Sequence, residues 1–152
     1  MIVRSVIAGD AADWCAMRLA LWPDGTAESH GREIERFFAG ELRMPLAVLV
    51  AVDDEARLAG FAELSIRTYA EDCVTDRVAF LEGWYVVPGM RRRGVGRALV
   101  AAAENWGRIQ GCSEFASDMR IDNLDSAAAH HALGFIETGQ LRCFRKDLGR
   151  NT

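Results

Sequence analysis

The sequence lacks the features that mark several specialised classes of protein. Among its 152 residues, cysteine occurs four times and never in a CxxC or zinc-type spacing: Cys15, Cys73, Cys112 and Cys143. This spacing predicts neither a metal centre nor a disulfide framework, so we expect four reduced thiols. Proline occurs only three times, and no repeat or low-complexity tract is present. We therefore expect a single domain over residues 1–152.

Long apolar runs and an excess of positive charge are also missing. No apolar run approaches the roughly 18 residues that a membrane span requires. The first ten residues, MIVRSVIAGD, lack the apolar core and cleavage site of a signal peptide. We expect a cytoplasmic protein that binds no membrane. The formal net charge of −4 disfavours nucleic acid as a partner and suits small cationic molecules better.

Half of the residues are hydrophobic, and their patterns alternate between strand and helix periods. We expect an α/β (α+β) fold with a mixed, mostly antiparallel sheet of about six or seven strands and helices on both faces. Gly134 is expected to end the last helix. The predicted strands are 2–7, 46–53, 57–67, 77–87, 113–118, 134–139 and 141–148. The predicted helices are 11–22, 27–42, 94–110 and 123–133.

The stretch YVVPGMRRRGVGRAL, residues 85–99, places three arginines and two glycines between a predicted strand and a predicted helix. Gly94 and Gly96 allow another backbone or a phosphate to approach closely. The first-turn amides of a helix are unpaired donors at the positive end of its dipole. The pattern predicts a phosphate or pyrophosphate site, and the alternative is a solvated basic turn. Neither a P-loop motif nor GxGxxG is present.

This stretch resembles the acetyl-coenzyme A loop of the GCN5-related N-acetyltransferase (GNAT) family. The family pattern (Q/R)xxGx(G/A) follows a strand ending in V-x-P, and Arg91, Gly94 and Gly96 fill it. A second family signature is an asparagine about eleven residues before a Gly-Phe pair, here Asn123 and 134–135. The resemblance covers nearly the whole chain and implies the single-domain GNAT fold, with a splay between two central parallel strands.

The resemblance also implies how acetyl-coenzyme A binds. The pyrophosphate would lie on the amides of residues 92–97, and the pantetheine arm would pair with the end of the strand. An amide at or near Val86 would stabilise the thioester oxyanion. Asn123 would contact the pantetheine or position the following helix. The residues implied for the cofactor are Val86, Val87, Arg91, Arg92, Arg93, Gly94, Val95, Gly96, Arg97 and Asn123.

Glu82 lies inside an otherwise apolar strand, FLEGWYVV. A carboxylate in such a strand is costly without a purpose or a partner. An amine must be neutral to attack a thioester, and a carboxylate can assist its deprotonation. Period-two alternation predicts that Glu82, Trp84 and Val86 share one face of the sheet. The alternative is that Glu82 pairs with an arginine such as Arg67 on the neighbouring strand.

Further acidic and aromatic side chains are candidates for an acceptor pocket. Asp118 ends the strand expected to run parallel to that of Glu82. A cluster of acids would suit a polycation, whereas any single one could be a solvated surface residue, and Trp22 could instead anchor a helix end. Together with Glu82, the candidates are Trp22, Tyr69, Glu71, Asp72, Trp84, Asp118 and Glu137.

Short blocks along the chain narrow the resemblance to the aminoglycoside 6′-N-acetyltransferases of the bacterial chromosomal type. This resemblance implies that Glu82 and Asp118 hold or deprotonate the reacting amine. Trp22, Tyr69 and Glu137 would line a pocket for an antibiotic that carries several ammonium groups. The blocks are LWP at 21–23, SIR at 65–67, FLEG at 80–83, WG at 106–107, ASD at 116–118 and ALGF at 132–135.

The sequence departs from the wider family at one position. Four residues before the Gly-Phe pair, where a tyrosine often serves as general acid to the leaving thiolate, this chain has His130. A histidine is only partly protonated at neutral pH, and a thiolate can also leave unprotonated. His130 is therefore either a general acid or a contact to the cofactor.

Other functions remain open at this point. The same chemistry could act on a polyamine, another amino sugar, or a protein lysine or N-terminus, and a non-catalytic acyl-coenzyme A sensor is a further alternative. An acidic pocket favours a small polycation over a peptide, and loss of turnover on changing Glu82 would exclude a sensor. The family resemblance also implies a homodimer, with the C-terminal strands near the partner.

Overall fold

The computed structural model describes residues 1–150, so 151–152 of the predicted domain lie outside the described residues. Its first unit, Met1–Asp118, holds one sheet in the strand order β1–β5. The first four strands pair antiparallel, and β5 pairs parallel with β4, as a mixed, mostly antiparallel sheet requires. The strands are β1 (Ile2–Ser5), β2 (Ala47–Val52), β3 (Leu58–Arg67), β4 (Val78–Val86) and β5 (Phe115–Ser117).

Three helices of this unit lie close to their predicted positions: α1 (Ala11–Leu21), α2 (Ala27–Phe38) and α3 (Val95–Ile109). The start of α2 is fixed by Thr26, whose hydroxyl oxygen accepts the N–H of Ser29 at 3.0 Å. The predicted end of this helix at residue 42 is wrong. The helix stops at Phe38 because Gly40 takes a left-handed conformation, with φ of 74°.

The two faces of the sheet bury different helices. Trp14 of α1 and Ile34 of α2 pack with Val50 of β2 and Phe61 of β3 in one apolar cluster. On the opposite face, a Cβ on Gly60 of β3 would lie 3.2 Å from the side chain of Leu99 of α3. Alternating strand residues therefore face α1 or α3, and the predicted arrangement of helices on both faces is confirmed.

A β-bulge interrupts the pairing of β3 with β4. Glu63 lies opposite Gly83 and Leu64 lies opposite Leu81, so Glu82 is the extra residue. A bulge re-aims the side chains that follow it. The prediction that Glu82 and Trp84 share a face is therefore wrong: Glu82 bonds to Ser65 on the α1 face, whereas Trp84 packs against Gly96 of α3.

The parallel ladder between β4 and β5 is short. It begins with Ala79 opposite Phe115 and ends with Leu81 opposite Ser117. β4 then continues to Val86 without a strand on that side among the described residues. The predicted splay of the two parallel strands lies at this point.

The second unit begins at Met119 and contains one helix, α4 (Leu124–Ala132). Gly134 follows it with φ of 87°, as predicted for a helix end. The predicted strands at 134–139 and 141–148 are wrong, and the described sheet has five strands. Strand-like composition forms a strand only where a neighbouring backbone pairs with it, and residues 136–150 are all exposed.

Within residues 1–150, no helix combines the length and the apolar character that crossing a bilayer would demand.

Candidate active site

The loop before α3 has the backbone of an anion site. Arg92 and Gly94 take left-handed conformations, with φ of 60° and 81°. Gly94 is the residue before the first helical turn, and its carbonyl oxygen accepts the N–H of Ala98 at 3.0 Å. The amides of 95–97 precede that first bond, so they have no acceptor within the helix. These N–H groups therefore point out of the N-terminus of α3, where they can donate to an anion.

The arginines of this loop surround the helix start with positive charge, and all four are exposed: Arg91, Arg92, Arg93 and Arg97. Arg91 is anchored, because its Nε donates to the carbonyl oxygen of Val86 at 2.9 Å and its guanidinium lies 5.6 Å from the Tyr85 ring centroid. The side chain of Val95 is buried, so this residue offers only its backbone. Helix amides and guanidinium groups together form a donor set that fits a pyrophosphate.

The end of β4 exposes backbone groups on its unpaired side. The N–H of Val87 donates to the carbonyl oxygen of Ala59 at 2.9 Å, towards β3. Successive residues of a strand point their backbone groups to opposite sides. The N–H and carbonyl of Val86 therefore face away from β3, to the side where β5 has ended, which is where an extended ligand could pair.

Glu82 is fixed by donors from β3. Its carboxylate accepts the hydroxyl of Ser65, and it accepts Nε and Nη2 of Arg67 at 2.9 Å and 2.7 Å. These bonds raise the pKa of Arg67, and the guanidinium also lies 3.5 Å from the ring centroid of Phe80. The Glu82 side chain keeps 13% of its surface exposed. The pairing of Glu82 with Arg67 on the neighbouring strand is therefore present.

Asp118 brings a second carboxylate to the same place. It directly follows Ser117, the last residue of the parallel ladder, just as Glu82 directly follows Leu81. Asp118 is exposed, and its charge helps to raise the pKa of Arg67. Arg67 is therefore bound by Glu82 and influenced by the charge of Asp118, and these three groups together carry two negative charges and one positive charge.

Trp22 lies against Gly83, the residue that follows Glu82, and is half-buried. A Cβ on Gly83 would come within 2.5 Å of the indole of Trp22, so the six-membered ring of the indole packs directly against the backbone next to Glu82. The ring also stacks on His30, with centroids 6.4 Å apart. Trp22 is thus both an anchor at the end of α1 and a partly exposed aromatic surface.

The loop between β3 and β4 carries three predicted acceptor residues, Tyr69, Glu71 and Asp72. All three are exposed, and the hydroxyl of Tyr69 donates to Glu71 at 3.1 Å, which raises the pKa of Tyr69. Asp72 takes a left-handed conformation with φ of 62°. These three side chains therefore face solvent, whereas Ala70 between them is buried in the core.

Glu114 holds the same loop in place and was not singled out by its sequence. Its carboxylate accepts the N–H of Thr75 at 2.8 Å, the hydroxyl of Thr75 at 2.6 Å and the N–H of Val74 at 3.1 Å. These bonds lower the pKa of Glu114. No sequence signal identifies the residue, because its partners lie 39 and 40 positions away.

Glu63 is a second carboxylate in a strand, and it was not among the candidates selected from the sequence. It carries the same signal as Glu82, a charge inside an apolar strand, and only 2% of it is exposed. Its Oε1 accepts the indole N–H of Trp14 at 3.0 Å and lies 3.5 Å from Nε of Arg18. The charge of Arg18 and the hydrogen bond from Trp14 lower the pKa of Glu63, but burial raises it by more, to about 7.

The second unit carries Asn123, His130 and Glu137. Asn123 caps α4, since its Oδ1 accepts the N–H of Ser126 at 3.1 Å, which is the helix-positioning role. Nδ1 of His130 lies 2.7 Å from the carbonyl oxygen of Ser126 and therefore carries a proton. Nε2 can then donate only when the ring is cationic. Glu137 is exposed and accepts Nε2 of Gln140 at 3.3 Å.

The acetyltransferase (GNAT) family model matches residues 13–135. The chain belongs to this family. The prediction from the arginine–glycine loop and Asn123 is thereby confirmed.

Curated GNAT relatives align over almost the whole chain. Aminoglycoside N(6')-acetyltransferase type 1 of Klebsiella aerogenes is 56% identical over 147 residues, which are 97% of this chain and 97% of the relative. The protein of the same name from Stenotrophomonas maltophilia is 41% identical over 147 residues, covering 96% of this chain and 93% of the relative.

Solved GNAT structures share the fold. AAC(6')-Iy in complex with the bisubstrate analog CoA-S-monomethyl-acetylneamine has a TM-score of 0.87 and 35% identity, covering 96% of this chain and 97% of that one. The apo form of AAC(6')-IG from Acinetobacter haemolyticus has a TM-score of 0.89 and 36% identity, covering 98% of this chain and 100% of that one.

Proposed function

We propose that this chain is an acetyl-coenzyme A-dependent N-acetyltransferase that acts on the 6′-amine of aminoglycoside antibiotics and confers resistance to them. The observation that carries the proposal is the placement of Glu82 and Asp118 directly after the last parallel pair, Glu82 on β4 and Asp118 following β5. β4 is also the strand that leads into the basic start of α3. Relatives at 56% and 41% identity bear the name of this activity.

Residues of the α3 start and of β4 would hold acetyl-coenzyme A, which supplies the acetyl group as an activated thioester. The amides of 92–97 and the exposed arginines fit the pyrophosphate. The N–H of Val86, which faces away from β3, suits pairing with the pantetheine arm, whereas the N–H of Val87 bonds to Ala59 and this residue stays a predicted cofactor contact. In this proposal, the N–H of Val86 would donate to the thioester oxygen.

The acidic pair would receive the acceptor amine. Two carboxylates around Arg67 leave negative charge at the splay, which attracts an ammonium group. In this proposal, Glu82 orients the amine, because Arg67 and Ser65 fix its carboxylate, while the exposed Asp118 passes the amine's proton to solvent. Trp22 and Tyr69 would flank the sugar rings, and Glu71, Asp72, Trp84 and Glu137 stay predicted substrate contacts.

His130 would contact the cofactor in the proposed enzyme. A general acid must present a proton to the leaving thiolate, and the bond from Nδ1 to Ser126 leaves Nε2 able to donate only from a cationic ring. A coenzyme A thiolate can leave without that proton at neutral pH.

A homodimer is part of the proposal, together with a cytoplasmic location and a single functional domain over 1–152. The supporting observation is the exposed C-terminal segment 136–150, whose apolar side chains face solvent: Ile136, Leu141, Phe144 and Leu148 are 84%, 67%, 91% and 89% exposed. A run of exposed apolar residues of this kind marks an interaction surface.

Changing Phe144 to aspartate tests the dimer. A charge at the centre of an apolar interface leaves an unpaired carboxylate, so the wild type is expected to run as a dimer and the variant as a monomer. Light scattering coupled to size exclusion measures both masses, and Arg142→Asp in the same segment controls for added negative charge. Equal masses for wild type and Phe144→Asp would refute this interface.

The proposed activity is tested by thiol release from acetyl-coenzyme A with a panel of amines. The panel holds tobramycin, kanamycin, an analogue with hydroxyl in place of the 6′-amine, spermidine and a lysine peptide. Turnover of the two antibiotics without turnover of the hydroxyl analogue is the expected result. Turnover of spermidine alone or of the peptide alone would show that the acceptor is another amine and not an aminoglycoside. Acetyl-coenzyme A binding without any turnover would indicate a sensor.

A further inference from the structure

A row of three charged side chains, two of them buried, lies next to Trp22. Arg18 of α1 is only 5% exposed, and its guanidinium joins Glu33 of α2 to Glu63 of β3. Nη2 bonds to the Glu33 carboxylate, whereas Nε lies 3.5 Å from Oε1 of Glu63. Neither Nε nor Nη1 makes a hydrogen bond among the described residues. Glu63 therefore stabilises Arg18 by ionic attraction between Oε1 and Nε rather than by a hydrogen bond.

Arg18 in turn supports the indole of Trp22. Its guanidinium lies 5.2 Å from the Trp22 ring centroid and 5.8 Å from that of Trp14, so it contacts both rings. Such contacts are strong when they are shielded from water. Because Trp22 also rests against Gly83, a shift of Arg18 would move the indole relative to the strand that carries Glu82.

The row is adjacent to the acidic pair of the splay. Glu63 lies opposite Gly83, at the bulge that inserts Glu82. Two positions further along β3, Ser65 donates its hydroxyl to Glu82 from the same face. The charge of Glu82 contributes to the raised pKa of Glu63, so the two carboxylates interact.

We propose that Glu63 is a positioning residue for aminoglycoside binding: its carboxylate holds Arg18, and Arg18 holds Trp22 against Gly83 as a wall of the acceptor site. This inference rests on the proposed function, because it assigns Trp22 to the antibiotic. Glu63 is buried and touches no substrate, so its effect is expected on the KM for the antibiotic rather than on kcat.

The arrangement makes antibiotic binding depend on pH. The groups that face Glu63 are Trp14 and Arg18 from α1, Glu33 from α2 and Glu82 from β4. With a pKa of about 7, Glu63 is ionised at pH 8 and protonated at pH 6. At pH 8 Arg18 has two carboxylate partners. At pH 6 only Glu33 remains, and its half-exposed side chain draws Arg18 towards solvent.

Steady-state kinetics of Glu63→Gln test the proposal. At pH 8 the variant is expected to raise the KM for kanamycin and tobramycin about tenfold, with kcat and the KM for acetyl-coenzyme A nearly unchanged. Between pH 8 and pH 6 the antibiotic KM should rise further in wild type than in the variant, because only wild type protonates Glu63. Protonation of the antibiotic itself affects the KM of both proteins equally. Glu104→Gln, in a partly exposed pair with Arg108 on α3, is the matched control.

Indole N–H resonances without any substrate provide a second readout. In wild type the Trp14 and Trp22 signals, assigned with Trp14→Phe and Trp22→Phe, should shift with a midpoint near pH 7. In Glu63→Gln neither should shift in that range. A Trp22 signal that does not follow Glu63, or an unchanged antibiotic KM, overturns the proposal. If wild type acetylates no aminoglycoside, the proposed function fails, and the spectra alone still decide whether Glu63 positions Trp22.

Discussion

Glu82→Gln is expected to lower kcat/KM for tobramycin and kanamycin by roughly 100-fold or more. The amide keeps the size of the side chain but removes the charge that orients the acceptor amine. It also removes the carboxylate that accepts two donors of Arg67. Acetyl-coenzyme A binding should persist, because its proposed donors lie at the start of α3 and on the backbone of β4.

The measurement is thiol release under saturating acetyl-coenzyme A, paired with calorimetric titration of coenzyme A into each variant. Glu104→Gln makes the same chemical change at a partly exposed helical position and should retain wild-type rates. Thermal unfolding separates lost activity from lost fold. A folded Glu82→Gln enzyme that keeps most of its antibiotic turnover would contradict the role of Glu82.

The second large effect is on the pH dependence of stability. Glu63 has a folded-state pKa of about 7 against an ordinary value of 4.5, because burial disfavours its charged form. Between these values the folded chain holds a proton that the unfolded chain has released. Protonated Glu63 therefore makes its full contribution to stability below about pH 4.5. As the pH rises to 7, this contribution to the unfolding free energy is lost, on the order of 3 kcal/mol in total.

Urea unfolding from pH 4 to 8 measures this effect as the difference in unfolding free energy between wild type and Glu63→Gln. The wild type should lose stability relative to the variant as the pH rises. Asp10→Asn is a control that should show no pH dependence relative to wild type over this range, because Arg4 lowers the pKa of Asp10 and its contribution is lost only as the pH falls below its ordinary value of 3.8. Parallel wild-type and Glu63→Gln curves would show that Glu63 titrates normally.

The two roles assigned to Glu63 oppose one another. Its ionised form binds Arg18 and supports the proposed wall of the antibiotic pocket, yet that same form is the less stable one when buried. A strained or costly group retained at a functional site is a common compromise between activity and stability. The compromise predicts that Glu63→Gln is the more stable protein at pH 8 while binding the antibiotic less well.

The sequence by itself determined the cofactor loop and the helix that follows it. Arg91, Gly94 and Gly96 carry a pattern whose meaning is local: a left-handed glycine before a helix and unpaired first-turn amides follow from neighbouring residues alone. The same is true of Gly134 after α4 and of Asn123 at its start. Short-range geometry of this kind depends on consecutive residues, so it can be predicted without knowing which other segments of the chain pack against them.

Only the tertiary structure decided how the acceptor side is built. The bulge at Glu82 turns that carboxylate to the α1 face and Trp84 to the α3 face, which strand alternation could not predict. Glu63 acquires its raised pKa from burial beneath α1. The segment 141–148 has strand-like composition but no pairing partner in the described chain. Register, burial and strand pairing depend on residues far apart in sequence, so they arise only when the elements pack.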